Sequence, residues 1–346
     1  MKRSFKRTVS VLLSLVMLLS VFSVAASAMS VNEGMGALRS QWLRGAGPEV
    51  SGRSVDYSYY SPKKGDSDKT KYPLCVFMAG AGEGGYEGEE LIGNKFAYWS
   101  GEENQVKFQN AGGAYLLIAR SQDPVYWDMM PISSLKAAID DFAKKNPNVD
   151  TDRIYVIGWC LGAVGATKLI TTYPDSFAGA VLVSNRTAIS ATDAAKIKNM
   201  SVWLVHCTTD SYSVYNLYCA PSWKNLKEQT ADPNRLRLTT CSDAPDTGVL
   251  LNHVLWNYLV YDCTNGDEYE NIKTVNGFDK TEDNVKAISW ISQWSLHDLD
   301  DEVKNCSCQC HSTNALTKLI WNIKCIFYKI FSADSKRVCD CGKLHW

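Results

Sequence analysis

Past residue 25 the chain never again gathers the roughly 18 uncharged apolar residues that a membrane-crossing helix needs. It has no large charge of either sign, with 36 Lys and Arg against 37 Asp and Glu. That balance argues against a polyanion partner such as nucleic acid. Histidine is scarce, at five residues in 346, so imidazole chemistry has few candidates. The one glycine-crowded loop, Ala79-Gly80-Ala81-Gly82-Glu83-Gly84-Gly85, is not followed by Gly-Lys-Ser/Thr, which excludes a phosphate cradle there.

What is present begins with a basic MKRSFKR, an apolar run from Val9 to Ala25, and Ala26-Ser27-Ala28. This is the pattern of a secretory signal peptide over residues 1–28. The competing reading is an uncleaved membrane anchor, and either one puts the rest of the chain outside the cytoplasm. Cleavage after Ala28 would remove four basic residues, leaving 32 against 37 acids and a charge of −5 on 318 residues. The expected localisation is therefore extracellular or cell-surface. The expected organisation is one domain over residues 29–300 and a Cys/His-rich tail over 301–346.

Within 29–300, short apolar runs alternate with amphipathic ones. Strands are expected at Val55–Tyr60, Tyr72–Met78, Ala114–Ile118, Ile154–Ile157, Ala178–Val183, Val202–Cys207 and Arg235–Thr240. Helices are expected near Met35–Leu43, Pro131–Lys144, Ala188–Lys198 and Val285–Leu296. Near-continuous apolar strands such as YPLCVFM belong to a parallel sheet covered on both faces. The fold class is α/β, a doubly wound and mostly parallel sheet with a small Cys/His-rich appendage. Cys75 and Cys207 read as buried thiols, while Cys219, Cys241 and Cys263 read as loop residues of which two could pair.

The stretch Asp152 to Asn185 carries the chemistry. A strand ends at Gly158, and a small-residue helix follows directly after Gly158-Trp159-Cys160-Leu161-Gly162. A G-x-C-x-G in strand–turn–helix context is a nucleophile elbow with cysteine in place of serine. Its tight turn holds the central residue in strained φ/ψ, and the flanking glycines leave room for the neighbouring strand and helix. The Leu161 N–H, at a helix N-terminus, falls where an oxyanion would form.

On these residues the chain resembles the α/β-hydrolase superfamily from about Tyr57 to Trp294, in particular secreted esterases related to polyhydroxybutyrate depolymerases and feruloyl or acetylxylan esterases. The pentapeptide is also similar to the G-Y-C-L-G of dienelactone hydrolases. The resemblance implies an α/β-hydrolase fold and assigns further roles. His206-Cys207-Thr208-Thr209-Asp210 looks like the H-G-x-x-D that bears the triad acid, making Asp210 that acid. Asn252-His253-Val254-Leu255-Trp256 looks like Gly-His-x-x-Trp, making His253 the base. The order nucleophile, acid, histidine along the chain is that of this superfamily. The second oxyanion donor falls at Ala81, with Gly80 as the alternative, and Ala119 to Trp127 resembles the loop at the mouth of the site. Trp127, Trp159 and Trp256 are candidates to wall the pocket. Four positions depart from the pattern: Cys160 for serine, Ala79 for histidine, Cys207 and Asn252 for glycine.

The tail is a separate object. Six of twelve cysteines fall in its last 41 residues, with Cys306, Cys308, Cys310 and His311 in one cluster and Cys339, Cys341 and His345 in another. Thiolates and imidazoles at close spacing favour zinc over calcium or magnesium. A disulfide staple is the competing reading outside the cell. The insert Leu316 to Phe331 is apolar but interrupted by Lys318, Lys324 and Lys329, which suits contact with a membrane or cell surface rather than a span.

The expected function is cleavage of a carboxylic ester through Cys160, His253 and Asp210, with no cofactor for catalysis and a structural zinc confined to the tail. The expected partner is a small-molecule or polysaccharide-linked ester. Two alternatives stand beside it: a dienelactone-type thiol hydrolase, and a non-catalytic binding module of the same fold.

Overall fold

A computed structural model describes residues 40–80, 96–109, 111–120, 127, 129–242, 253, 255, 272–283, 285–298, 337–338 and 344–345. Its centre is a nine-stranded sheet in the order β1-β2-β4-β3-β5-β6-β7-β8-β9. The strands are β1 (Leu43–Ala46), β2 (Asp56–Tyr60), β3 (Tyr72–Met78), β4 (Tyr115–Ala119), β5 (Val149–Trp159), β6 (Gly179–Val183), β7 (Ser201–Cys207), β8 (Leu236–Cys241) and β9 (Lys273–Asn276). The six from β4 to β8 run parallel, and the outer pairs β1–β2, β2–β4 and β8–β9 are antiparallel.

Successive residues of β3 point to opposite faces. Leu74, Val76 and Met78 join one apolar cluster, while Cys75 and Phe77 join the other. Both clusters are covered, so all seven residues of β3 are buried. On one face lie α1 (Ile132–Lys145), α2 (Leu161–Thr172), α3 (Ala191–Lys196) and α4 (Tyr215–Gln229). The other face is closed by the turn Phe96–Ser100 and by α5 (Ala287–Ile291). In α1 the buried residues Leu135, Ala138, Ile139 and Phe142 keep the expected helical spacing.

The topology creates a site. From β3 the chain passes to β4 on one side, then returns to place β5 on the other side of β3. At such a reversal the connections diverge and leave a crevice at the carboxyl ends of the strands. Met78 of β3 is in register with Gly158 of β5, so the loop after β3 and the elbow after β5 leave the sheet side by side.

Several expected elements change. Helix α4 was not anticipated, because its stretch is largely polar and carries Pro221, and only Cys219, Ser222, Trp223 and Leu226 are buried. Cys219, read as a loop residue, is therefore a core residue of α4, and Cys241 is the buried last residue of β8. Strand β9 was also missed. The helix expected over Val285–Leu296 narrows to α5. At the other end, residues 40 and 41 form a turn and Leu43 opens β1 instead of closing a helix; residues 35–39 lie outside the described residues. Of the tail only the backbone pair β10 (Arg337–Val338) and β11 (Leu344–His345) is described, antiparallel with Arg337 opposite His345.

Candidate active site

Cys160 stands between β5 and α2 with φ 53° and ψ −118°, a conformation that side chains other than glycine rarely adopt. Its N–H donates to the Val183 carbonyl at 3.0 Å, which ties the strained residue to β6. The flanking glycines are steric necessities. A Cβ on Gly158 would sit 2.5 Å from the Gly162 carbonyl oxygen, and one on Gly162 would sit 2.0 Å from the Met78 carbonyl oxygen. Leu161 is the first residue of α2, so its N–H has no carbonyl within the helix to bond.

The acid arrives from the end of β7. Asp210 is buried, and its Oδ1 accepts from the N–H groups of Tyr212 and Ser213, each at 2.8 Å. Its Oδ2 lies 2.7 Å from Nδ1 of His253. The loop that holds it is fastened twice more. Nε2 of His206 lies 2.6 Å from the Ser213 carbonyl, and the Ser213 hydroxyl donates to the Asn185 carbonyl at 2.5 Å. Burial pushes the His206 imidazole below its ordinary value, so it serves as a neutral donor to that carbonyl.

His253 is 2% exposed, with Nδ1 on Asp210 and a hydrogen bond to the Cys160 side chain. Burial works against its protonation. Hydrogen bonds to Asp210 and Cys160, together with their charges, outweigh burial and raise it to about 9. The described part of the chain thus brings Cys160, His253 and Asp210 into one hydrogen-bonded line. That line can abstract a thiol proton and hold it as an imidazolium.

Two of the expected pocket walls lie among the described residues. Trp127 is 1% exposed and packed beneath α2, where a Cβ on Gly165 would approach its Cβ to 2.7 Å. It is a core residue, and the sequence pattern of the mouth loop misassigned it. Trp159 is 5% exposed; its Nε1–H donates to the His253 carbonyl at 3.3 Å, and its ring centroid lies 5.8 Å from the imidazole. It supports the histidine from beside the imidazole. Ala81 and Trp256 lie outside the described residues, as do Cys306, Cys308, Cys310, His311, Cys339 and Cys341. His345 falls in β11, where the backbone alone is described. Among the described residues no group of three or more His, Cys, Asp or Glu could hold a metal ion.

Two comparisons return nothing: no protein-family model and no curated protein matches the sequence. Among solved structures, a thermostable esterase superposes with a TM-score of 0.56 at 21% identity, over 74% of this chain and 64% of that one. The fold is that of an α/β-hydrolase. An acylaminoacyl peptidase from Pyrococcus horikoshii matches at 15% identity and TM-score 0.41, over 54% of this chain and 35% of that one. The chain therefore spans under two thirds of the length of either structure. In this fold Cys160 sits at the crevice outside β3 and β5.

Sequence reasoning missed Ser184. It is fully buried, has φ 46°, and its hydroxyl donates to the His253 carbonyl at 2.9 Å. With Trp159 Nε1–H and the Leu255 N–H at 3.1 Å, three donors converge on that one carbonyl. A Val-Ser-Asn after a buried strand gives no pattern by which to find this. Ser184→Ala and Trp159→Phe should each lower kcat about fivefold with KM little changed, the equivalent of one hydrogen bond of about 1 kcal/mol. Steady-state kinetics beside a thermal melt would check it. A change in KM alone would show that these donors do not set the imidazole.

Proposed function

We propose that this protein is a secreted hydrolase that cleaves a carboxylic ester through a Cys160–His253–Asp210 triad and an acyl-thioenzyme. The observation that carries the reading is the 2.7 Å bond from Asp210 to His253 Nδ1, with the other side of the imidazole engaged by Cys160 on a strained elbow. A buried structural cysteine needs none of these. The substrate class, the relation to feruloyl or polyhydroxybutyrate-type esterases, and export by residues 1–28 rest on the sequence resemblance and leader pattern.

The steps balance within the site. Cys160 Sγ attacks the carbonyl carbon while its proton passes to His253 Nε2, the nitrogen left free by Asp210. The oxyanion forms at the Leu161 N–H, with the Ala81 N–H as the proposed second donor, each worth about 3 kcal/mol. Collapse breaks the carbon–oxygen bond, and His253 returns its proton to the departing alkoxide. Water then attacks the thioester with His253 as base, releasing the acid and restoring the thiol. Each step is carried by the chain's own groups. For the tail, the proposal is a structural zinc site with a disulfide staple as the competing arrangement, and a surface contact through its cationic insert.

The test is hydrolysis of short-chain p-nitrophenyl esters under reducing conditions, beside Cys160→Ala. Turnover that disappears in the variant supports the triad; equal rates in both, or none in either, would leave the fold as a binding module. Thiol labelling is a weaker test. A hydrogen bond from Cys241, its register partner on β8, overcomes burial and lowers the Cys207 thiol to about 6, so a second sulfur of lowered pKa, itself fully buried, lies near Asp210.

A further inference from the structure

Of the six large hydrophobic side chains exposed among the described residues, three lie in the stretch that follows the triad acid. From Ser211 to Trp223 there is no charged residue, in a chain that is 21% Asp, Glu, Lys and Arg. Three large apolar side chains stand out to solvent there: Tyr212 at 43%, Val214 at 38% and Leu217 at 61% exposed. Val214 caps α4 and its carbonyl accepts from the Leu217 N–H at 2.9 Å, so these two share the first turn of the helix. The Tyr212 ring centroid lies 5.6 Å from the His253 imidazole, and its own N–H holds Asp210. Trp159 also touches the imidazole but is buried. Among the described residues, Tyr212 is the aromatic that meets both His253 and solvent.

This position has a chemical meaning, which rests on the ester-hydrolase reading above. The imidazole must hand its proton to the departing alkoxide, so the alcohol half of the ester lies against His253 as the bond breaks. The acyl half is held from the other side, with its carbonyl oxygen at the Leu161 N–H and its carbon on Cys160. Groups beside the imidazole therefore read the alcohol and not the acid. An uncharged, exposed apolar surface is kept in water at a cost, and it returns free energy when an apolar group covers it.

We infer that Tyr212, Val214 and Leu217 form the leaving-group subsite, and that the natural ester carries an apolar, uncharged alcohol such as a medium-chain alkyl or aryl group. A sugar would bring several hydroxyls to this lip, and among these three side chains only the Tyr212 hydroxyl could partner one of them. Polysaccharide-linked esters thereby become the less favoured of the expected substrates.

The experiment holds the acid constant and varies the alcohol. Acetates of ethanol, butanol, hexanol and octanol have leaving groups of nearly equal basicity, so differences report binding. With the whole protein, kcat/KM should rise about twofold per methylene, half the roughly fourfold that full burial gives. Tyr212→Ala and Leu217→Ser should each flatten that slope. The slope against acyl length, measured with p-nitrophenyl acetate to octanoate, should keep its wild-type value in both. Leu217 is exposed, so its variant keeps the test independent of folding. A flat alcohol series in the wild type, or unchanged slopes in both variants, would overturn the assignment while leaving ester hydrolysis standing. Flattening of the acyl series instead would reassign the lip to the acid half. No turnover of any ester would sink the hydrolase reading, and this inference with it.

Discussion

Cys160→Ala is expected to reduce ester hydrolysis by about 10⁴-fold or more, leaving what the oxyanion donors and binding alone supply. Its stability should hardly change, because alanine is as strained as cysteine at φ 53°. Cys160→Gly should lose the same activity but gain about 1 kcal/mol in stability, since glycine adopts that conformation without penalty. The pair separates chemistry from folding: parallel losses of activity, with a raised melting temperature in the glycine variant alone, are the signature of a functional elbow. If Cys160→Gly melted lower than the wild type, the strain at this residue would be refuted.

The same triad sets a pH dependence. His253 is raised from 6.5 to about 9 in the folded protein, so its protonated form is favoured by folding. The stability it contributes is complete below about 6.5 and is lost as the pH rises through about 9. Activity should rise as the pH climbs through about 9, because the neutral imidazole is the base that takes the thiol proton and later activates water. In Cys160→Ala the hydrogen bond and charge of the thiol are gone, so the imidazole should titrate lower. Proton NMR of the His253 ring in both proteins would show it; identical titrations would mean that Cys160 and His253 do not interact.

How far the sequence carried depends on what each element is made of. Buried parallel strands were legible because both faces of β3, β6 and β7 are covered, which leaves apolar runs with no alternation to misread. The elbow was legible because its two glycines answer to backbone atoms, which no side-chain change elsewhere can replace. Asp210 and His253 were proposed from motif resemblance and chain order, while the 2.7 Å bond that joins them comes from three-dimensional packing. What stayed hidden was polar or solitary. Helix α4 exposes most of its length, so its apolar pattern is faint. Ser184 acts through one hydroxyl and one backbone angle. Trp127 misled for a related reason. An indole suits a pocket wall and a core equally, and for Trp127 only the buried face of α2 decides between them.

Gly162→Ala should be among the most destabilising single substitutions in the domain, although a helix ordinarily prefers alanine to glycine by about 1 kcal/mol. The added methyl would lie 2.0 Å from the Met78 carbonyl oxygen, 2.5 Å from its carbon and 2.6 Å from the Ala79 carbonyl oxygen. All three are backbone atoms at the exit of β3, so no side chain can rotate away to make room. Relief requires α2 to move off the sheet, which opens the close packing of Ala163, Ala166, Leu169 and Ile170 against it. A loss of about 3 kcal/mol is expected, the scale of severe overpacking. For a domain of this size that is on the order of 10 °C in melting temperature. Gly112→Ala provides the contrast: it has φ 63° but nothing within 4 Å of the new methyl, so it carries conformational strain alone and should cost about 1 kcal/mol. Differential scanning calorimetry of the two variants reads the difference directly. Should Gly162→Ala melt at or above the wild type, α2 does not approach β3 this closely. The strained turn that presents Cys160 would then have no structural basis.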